Sequence, residues 1–346
     1  MRLISTCLIA LALITGGASA SANPVSAGMG FWTAISPSGL NSRVIRIDPT
    51  DGSNYNLGLY GDGVMRTPDY GASWLDYNEG LIGPNWFAGI YVYDMAIDYN
   101  HPARMFISTF GTGVFRTDSG GNWWYQINHG LNNLYVYSLI MDPSRPGTLY
   151  AGTGHGVYRN EAGGDEAWQQ VLSGVSSVLA MAIDPNNTGS VYAGTDGNGL
   201  WKSVDGGASW AKINHHTFLN NNVSALAVAP SDSSVIYAGT KTGSVWVSQN
   251  NGDTWLPIWQ GMGAGKYITA LAVDPDDSST AYASTENNGI FKTSDGITWQ
   301  EINSGLPVGA RVYDLVMHPS APSKLLAATS QGVYSMIQIS GPEPIN

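Results

Sequence analysis

LGLYGDGVMRTPDYGASW, Leu57 to Trp74, decides the fold. Two apolar half-strands, LGLY and VMRT, flank a Gly-Asp-Gly turn, and TPDYGASW then reverses the chain again onto a tryptophan. Short strands separated by glycine-bearing turns are the pattern of an antiparallel sheet. The tryptophan recurs in register as Trp32, Trp74, Trp124, Trp168, Trp210, Trp255 and Trp299, at spacings of 42, 50, 44, 42, 45 and 44 residues. A second marker runs in phase with it, an apolar strand ending in Asp-Pro or a variant, from IRIDP at Pro49 to LVMHP at Pro319. Two independent markers with one period define seven repeat units.

Each unit divides into four strands: the apolar strand before Asp-Pro, a YAGT-like strand such as Tyr150 to Thr153, a third strand of the GVY or GLW kind, and a strand starting at the tryptophan. Units of this length and composition predict an all-β chain, a single seven-bladed β-propeller of four-stranded blades. The last unit, from Arg311, lacks its tryptophan strand, whereas GFWTAISPSGL near the start has only that strand. The N-terminal strand is therefore expected to pair into the C-terminal blade and close the ring, which hides two sheet edges at once.

The first residues, MRLISTCLIALALITGGASASANP, combine a basic residue, a short apolar run and Ala-x-Ala sites, the pattern of a cleaved leader. The expected organisation is a signal peptide over 1–22, the propeller over 23–340 and a tail over 341–346, with a secreted or periplasmic product and no membrane insertion after cleavage. Cys7, the one cysteine among 346 residues, lies in the leader, so disulfides, thiolate catalysis and cysteine-ligated metals are excluded from the mature chain. The net charge is −11 and becomes −12 once Arg2 is lost, a balance that disfavours nucleic acid as a partner.

The stretches TPDYGASW, TDSGGNWW, SVDGGASW and SQNNGDTW resemble the S/T-x-D-x-G-x-x-W pattern of BNR, or Asp-box, repeat propellers. The pattern is complete at Asp69 and Asp205. Ser119 and Asn250 replace the aspartate in two copies, TSDGITW before Trp299 is one residue short, and the copy before Trp168 is degenerate. A carboxylate in such a hairpin accepts backbone N–H bonds and the indole fills the gap between blades, so Asp69, Asp205, Trp74, Trp124, Trp210, Trp255 and Trp299 are read as structural. Sialidases share the box, but they have six blades and need an arginine triad. LGLYGDGVMRTPDYGASW is also similar to the first blade of two-propeller xyloglucan-cleaving hydrolases, and that resemblance puts Asp62 near a catalytic aspartate. Non-catalytic members of the superfamily, the sortilin-type receptors and photosystem II assembly factors, bind proteins or peptides.

Function in such a ring is expected on the face formed by the loops leading into the innermost strands. Those loops carry Trp86, Phe87, Tyr91, Tyr135, Tyr267 and Arg311, with Tyr93, Tyr137 and Tyr313 two residues beyond the shared position. Flat rings with hydroxyls suit sugar faces or an extended peptide; inter-blade packing is the alternative. One inner-strand position reads Val44, Asp94, Ser138, Ala180, Ala225, Ala270 and Asp314, and ring closure brings Asp314, Arg311, Arg43, Arg46 and Asp94 into adjacent blades. These groups form either a structural ion-pair cluster or a polar site. The expectation is a recognition propeller for a glycan or an extracellular polypeptide, without cofactor or metal; the alternatives are a glycoside hydrolase using Asp62, Asp94 or Asp314, and a structural part of an envelope assembly. His215 and His216 have no third ligand at metal spacing, and the Asp-rich turns DPTDG, DPNNTG and DPDDSS are explained by turn formation as well as by calcium.

Overall fold

The computed structural model describes residues 30–81, 89–213, 222–263 and 265–338. Every regular element in them is a β-strand. The strands pair antiparallel in seven groups of four, two of which are joined into one larger sheet where Tyr60 and Gly61 pair with Tyr91 and Ile90. In the first group Ser42–Ile47 is innermost, followed outward by Tyr55–Gly61, Val64–Thr67 and Leu75–Asp76. The other inner strands are Ile90–Ile97, Val136–Met141, Val178–Ile183, Val223–Val228, Ile268–Val273 and Val312–His318. Each neighbours the next, and Val312–His318 neighbours Ser42–Ile47, so the inner strands surround a common axis as in a β-propeller.

Closure follows the expected route. Thr33–Ala34 pairs with Gly332–Ile337, Thr33 opposite Ser335 and Ala34 opposite Tyr334. The Gly30 N–H donates to the Ile337 carbonyl and the Ile35 N–H to the Val333 carbonyl, extending the seam on both sides. The leader and the tail lie outside the described residues.

The apolar cores lie between sheets. Phe106, Val114 and Ile127 of the second blade meet Leu139, Leu149 and Trp168 of the third, and Trp32 of the closing strand packs with Tyr282 and Ile290 of the sixth blade. Five indoles also donate across the gap: Trp74 to the Ile35 carbonyl, Trp124 to Tyr77, Trp168 to Ile127, Trp299 to Ile258 and Trp32 to Ile302, at 2.6–2.9 Å. Trp210 and Trp255 pack into the same kind of gap but turn their N–H back onto the Gly207 and Gly252 carbonyls.

The YAGT strands explain how close the blades approach. At Gly58, Gly194 and Gly239 a Cβ would lie 2.4–2.6 Å from a branched methyl of Val92, Val223 or Ile268 on the next inner strand. Such a separation is far inside van der Waals contact, so a glycine lets a β-branched neighbour seat directly on the sheet.

The hairpins between third and fourth strands are tied locally. The Ser73 N–H and hydroxyl donate to Asp69 at 2.8 and 2.6 Å, and the Ser209 pair does the same at Asp205, 2.8 and 2.5 Å. Where the aspartate is replaced, Asn250 Oδ1 accepts the Thr254 N–H at 2.9 Å and Ser119 Oγ accepts the Trp123 N–H at 3.1 Å. These bonds hold the Asp205 carboxyl down at about 2, chiefly through Ser209. At Asp69 burial works the other way, yet Ser73 and Thr67 still hold its carboxyl below the usual range.

The Asp-Pro corners are turns of the same chemistry. Asp48, Asp98 and Asp142 each accept the N–H groups two and three residues on, and Asp184 and Asp274 accept the one two residues on. One oxygen of each is engaged by the backbone, and no group of three acidic, histidine or cysteine side chains with metal-site geometry occurs among the described residues.

Candidate functional site

All seven inner strands share one irregularity. Their pairing with the second strand slips by one residue near the start, at Ser42/Val44, Val92/Asp94, Val136/Ser138, Val178/Ala180, Val223/Ala225, Ile268/Ala270 and Val312/Asp314. The skipped residues are Arg43, Tyr93, Tyr137, Leu179, Ser224, Thr269 and Tyr313. A β-bulge leaves one residue outside the ladder and re-aims its side chain. All seven of these residues line a cavity of about 330 Å³ on the axis, together with Arg46, Asp94, Tyr267, Glu286, Asp314 and several small side chains.

The wall is not uniform around the ring. On the first three blades rings meet edge to face or stacked: Tyr60 with Tyr91 at 4.7 Å between centroids, Tyr93 with Phe110 at 5.4 Å and with Tyr137 at 5.8 Å, and Phe110 with Tyr135 at 4.8 Å. Tyr60 and Phe110 follow the YAGT-like strand at a position that continues as Gly154, Asp196, Lys241, Glu286 and Ser330, so the fourth, fifth and sixth blades place charge there instead. Lys241 Nζ bonds to Asp196 at 2.7 Å and Arg311 lies 3.5 Å from Glu286. The cavity mouth therefore has an aromatic half and an ionic half.

Below the rings lies a clasp. The Arg46 guanidinium, on the first blade, donates to Asp94 Oδ1 of the second and Asp314 Oδ2 of the seventh, both at 2.6 Å, and its Nε donates to the Met95 carbonyl at 3.0 Å. Asp94 reaches on to the third blade, and Asp314 back to the first beside Arg46. Asp94 Oδ2 accepts the Leu139 N–H at 2.9 Å and Asp314 Oδ2 the Ile45 N–H at 3.0 Å. The Asp94 and Asp314 side chains are only 14% and 15% exposed. Burial opposes the Arg46 charge, but Asp314 and Asp94 outweigh it and hold the guanidinium above its ordinary value. Burial raises the Asp94 carboxyl, with Arg46 pulling against it.

Arg46 also separates two environments. It also lines a second cavity of about 200 Å³, with Ile47, Met95, Ile97, Leu139, Ile140, Met141 and Ile183. The clasp thus forms the floor of a polar cup.

The sequence-derived candidates distribute as follows. Arg43, Tyr93, Tyr137, Tyr267 and Tyr313 line the cup with Asp94 and Asp314. Tyr91 and Tyr135 form its rim beside Tyr60 and Phe110, and Arg311 is exposed and turned to Glu286. Asp62 sits exposed on its turn and is not part of the cavity wall. Trp86, Phe87, His215 and His216 lie outside the described residues. Sequence reasoning missed Tyr60 and Phe110, although their alignment at the end of the second strand was a readable signal.

In chemical terms the cup offers phenol hydroxyls, the Arg43 guanidinium beside the bonded Arg46, the Glu286 carboxylate and ring faces. Burial raises the Tyr93 and Tyr267 phenols, which are therefore protonated donors at neutral pH. The two axial carboxylates are already bonded to Arg46 and to backbone N–H groups.

No protein-family model matches the chain, and no curated protein matches it. Among solved structures, an ancestral GH74 enzyme is similar with a TM-score of 0.72 at 17% identity, over 88% of this chain and 46% of that one. YCF48 bound to D1 peptide is similar with a TM-score of 0.69 at 15% identity, over 91% of this chain and 100% of the other. The GH74 xyloglucanase from Xanthomonas campestris gives 0.68 at 17% identity, over 88% of this chain and 53% of that enzyme. The chain thus spans about half the length of the GH74 enzymes and the whole of YCF48. At these identities the likeness establishes the architecture, and the architecture is a β-propeller.

Proposed function

We propose that this chain is an exported, non-catalytic recognition propeller that holds a glycan or an extracellular polypeptide in the aromatic cup at the mouth of its axis. The observation that carries the reading is the pairing of both axial carboxylates with Arg46 directly beneath a wall of tyrosines. Acid/base cleavage of a glycoside needs one carboxyl group free to give a proton and a second, roughly 5 to 10 Å away, free to attack or to activate water. Asp94 and Asp314 are engaged by one guanidinium and by the backbone instead. The ring faces of Tyr91, Phe110, Tyr135 and Tyr137 give flat apolar surface with hydroxyls at the edges, which is the chemistry of a sugar or peptide platform.

Both kinds of ligand occur among the similar structures, as a D1 peptide on YCF48 and as the xyloglucan chemistry of a GH74 enzyme. The test is to screen the purified mature protein on glycan and peptide arrays beside a polysaccharide-hydrolysis panel. Binding without turnover, weakened by Phe110→Ala and Tyr135→Ala, is the expected result. Turnover abolished by Asp94→Asn or Asp314→Asn would replace this reading with the hydrolase.

A further inference from the structure

Arg43 stands apart from the other arginines. Among the described residues each of the rest lies within 4.0 Å of a carboxylate: Arg46, Arg66, Arg104, Arg116, Arg145, Arg159 and Arg311. Arg43 instead places its guanidinium carbon 4.4 Å from the Tyr93 ring centre and 4.6 Å from that of Tyr313, on the cavity wall. Stacking between two rings fixes the plane of the cation while leaving its edge N–H groups uncommitted. No hydrogen bond from Arg43 is formed to the described residues, nor from the phenols of Tyr93, Tyr137, Tyr267 and Tyr313 around it. In the cavity a planar donor fork and four hydroxyls converge without protein partners.

Resting on the recognition reading above, we propose that the cup binds a glycan ending in a uronic acid, with Arg43 gripping the sugar carboxylate and the phenols bonding its hydroxyls. A carboxylate supplies two coplanar acceptors that match the guanidinium edge. The cavity volume, about 330 Å³, is at the small end of ligand pockets and suits a compact terminal unit. Tyrosines contributed to one cavity by separate blades suit a ring bearing hydroxyls on its perimeter better than an extended backbone, which pairs along a strand edge. Charge limits the ligand to few carboxylates. Arg46 with Asp94 and Asp314 carries one net negative charge behind Arg43, and the whole chain carries −11, so a polyuronate would be repelled while one terminal carboxylate meets Arg43 at short range.

The experiment is calorimetric titration of the mature protein with a glucuronic-acid-terminated disaccharide, its methyl ester, the matching neutral disaccharide, and tetraalanine with a free or amidated C-terminus. The acid is expected to bind roughly tenfold to a hundredfold more tightly than its ester or the neutral sugar, the range for one charge-assisted pair. Arg43→Gln is expected to erase that preference, so that the variant binds acid, ester and neutral sugar alike. The ester comparison uses the unaltered protein, so it stands even if the variant fails to fold. Equal binding of acid, ester and neutral sugar would overturn the carboxylate proposal and leave glycan recognition intact. Binding of free tetraalanine but none of the three sugars would overturn the uronate in favour of a peptide terminus, and silence from all five probes would overturn it too. In that last case the array screen decides separately whether the cup recognises anything.

Discussion

Replacing Arg46 with methionine tests whether the clasp holds the ring together. The substitution keeps an unbranched side chain of similar reach and removes the charge that Asp94 and Asp314 share, each at 2.6 Å and each about one-seventh exposed. Breaking a buried ion pair by removing one partner costs about 3–5 kcal/mol. Here the guanidinium is 30% exposed and both carboxylates keep backbone N–H donors, so the lower end applies. A loss of about 3 kcal/mol in a domain of this size lowers Tm by about 5 °C. Calorimetry of the purified protein near neutral pH measures it.

Two controls isolate the cause. Adding Asp94→Asn and Asp314→Asn to Arg46→Met removes the stranded charges and is expected to recover most of the loss. Acidification has a defined sign in the single variant. Burial raises the Asp94 carboxyl even with Arg46 present, and without the cation it rises further, so the folded state binds protons more readily than the unfolded one. The deficit of Arg46→Met relative to the parent therefore shrinks as pH falls through the raised Asp94 value towards the unfolded one, and returns as pH rises back through the raised value. A single variant melting within about 1 °C of the parent, or a triple variant no better than the single, would refute the clasp.

Other expectations concern the seam, the blade gaps and the hairpins. Trp32→Ala removes a side chain 1% exposed, together with its 2.6 Å bond to Ile302, and is expected to cost about 3–5 kcal/mol in urea unfolding, whereas a change at exposed Trp123 costs less than about 0.5 kcal/mol. Gly239→Ala would set a Cβ 2.4 Å from the Ile268 Cγ2 methyl, so a penalty of about 1–3 kcal/mol is expected, and a neutral result would show that the blades slide apart freely. Asp205 and Asp295 are held at about 2 against an ordinary 3.8, by Ser209 and by the Thr298 backbone first of all. Their folded values lie below the unfolded ones, so this stabilisation is complete above about pH 4 and is lost as pH falls towards 2. Melting temperatures recorded across that window should fall less steeply for Asp205→Asn combined with Asp295→Asn than for the parent protein.

The blade pattern was legible because its causes are local. A hairpin carboxylate such as Asp69 bonds to groups four residues away, and an indole such as Trp124 reaches the neighbouring unit one repeat earlier, so both leave a periodic trace in the chain. The closing strand was legible for the same reason, since a lone tryptophan strand at one end complements a blade lacking one at the other. The axial cup was legible only in part. Tyr93, Tyr137 and Tyr313 share a repeat position, but nothing in their neighbours announces the bulge that turns them towards the axis.

Sequence alone determined the four-stranded unit, its repetition and the route by which the ends meet, because hydrogen bonding within a hairpin and burial between adjacent repeats depend on residues at fixed spacing. Tertiary structure decided which charges meet. Arg46 and Asp314 stand 268 positions apart and come within 2.6 Å only because the ring closes. Pairing, burial and the direction of a bulged side chain are set by that closure and by the distance across the axis. The same closure that pairs Asp94 and Asp314 with Arg46 leaves Arg43 stacked between Tyr93 and Tyr313 on the cavity wall.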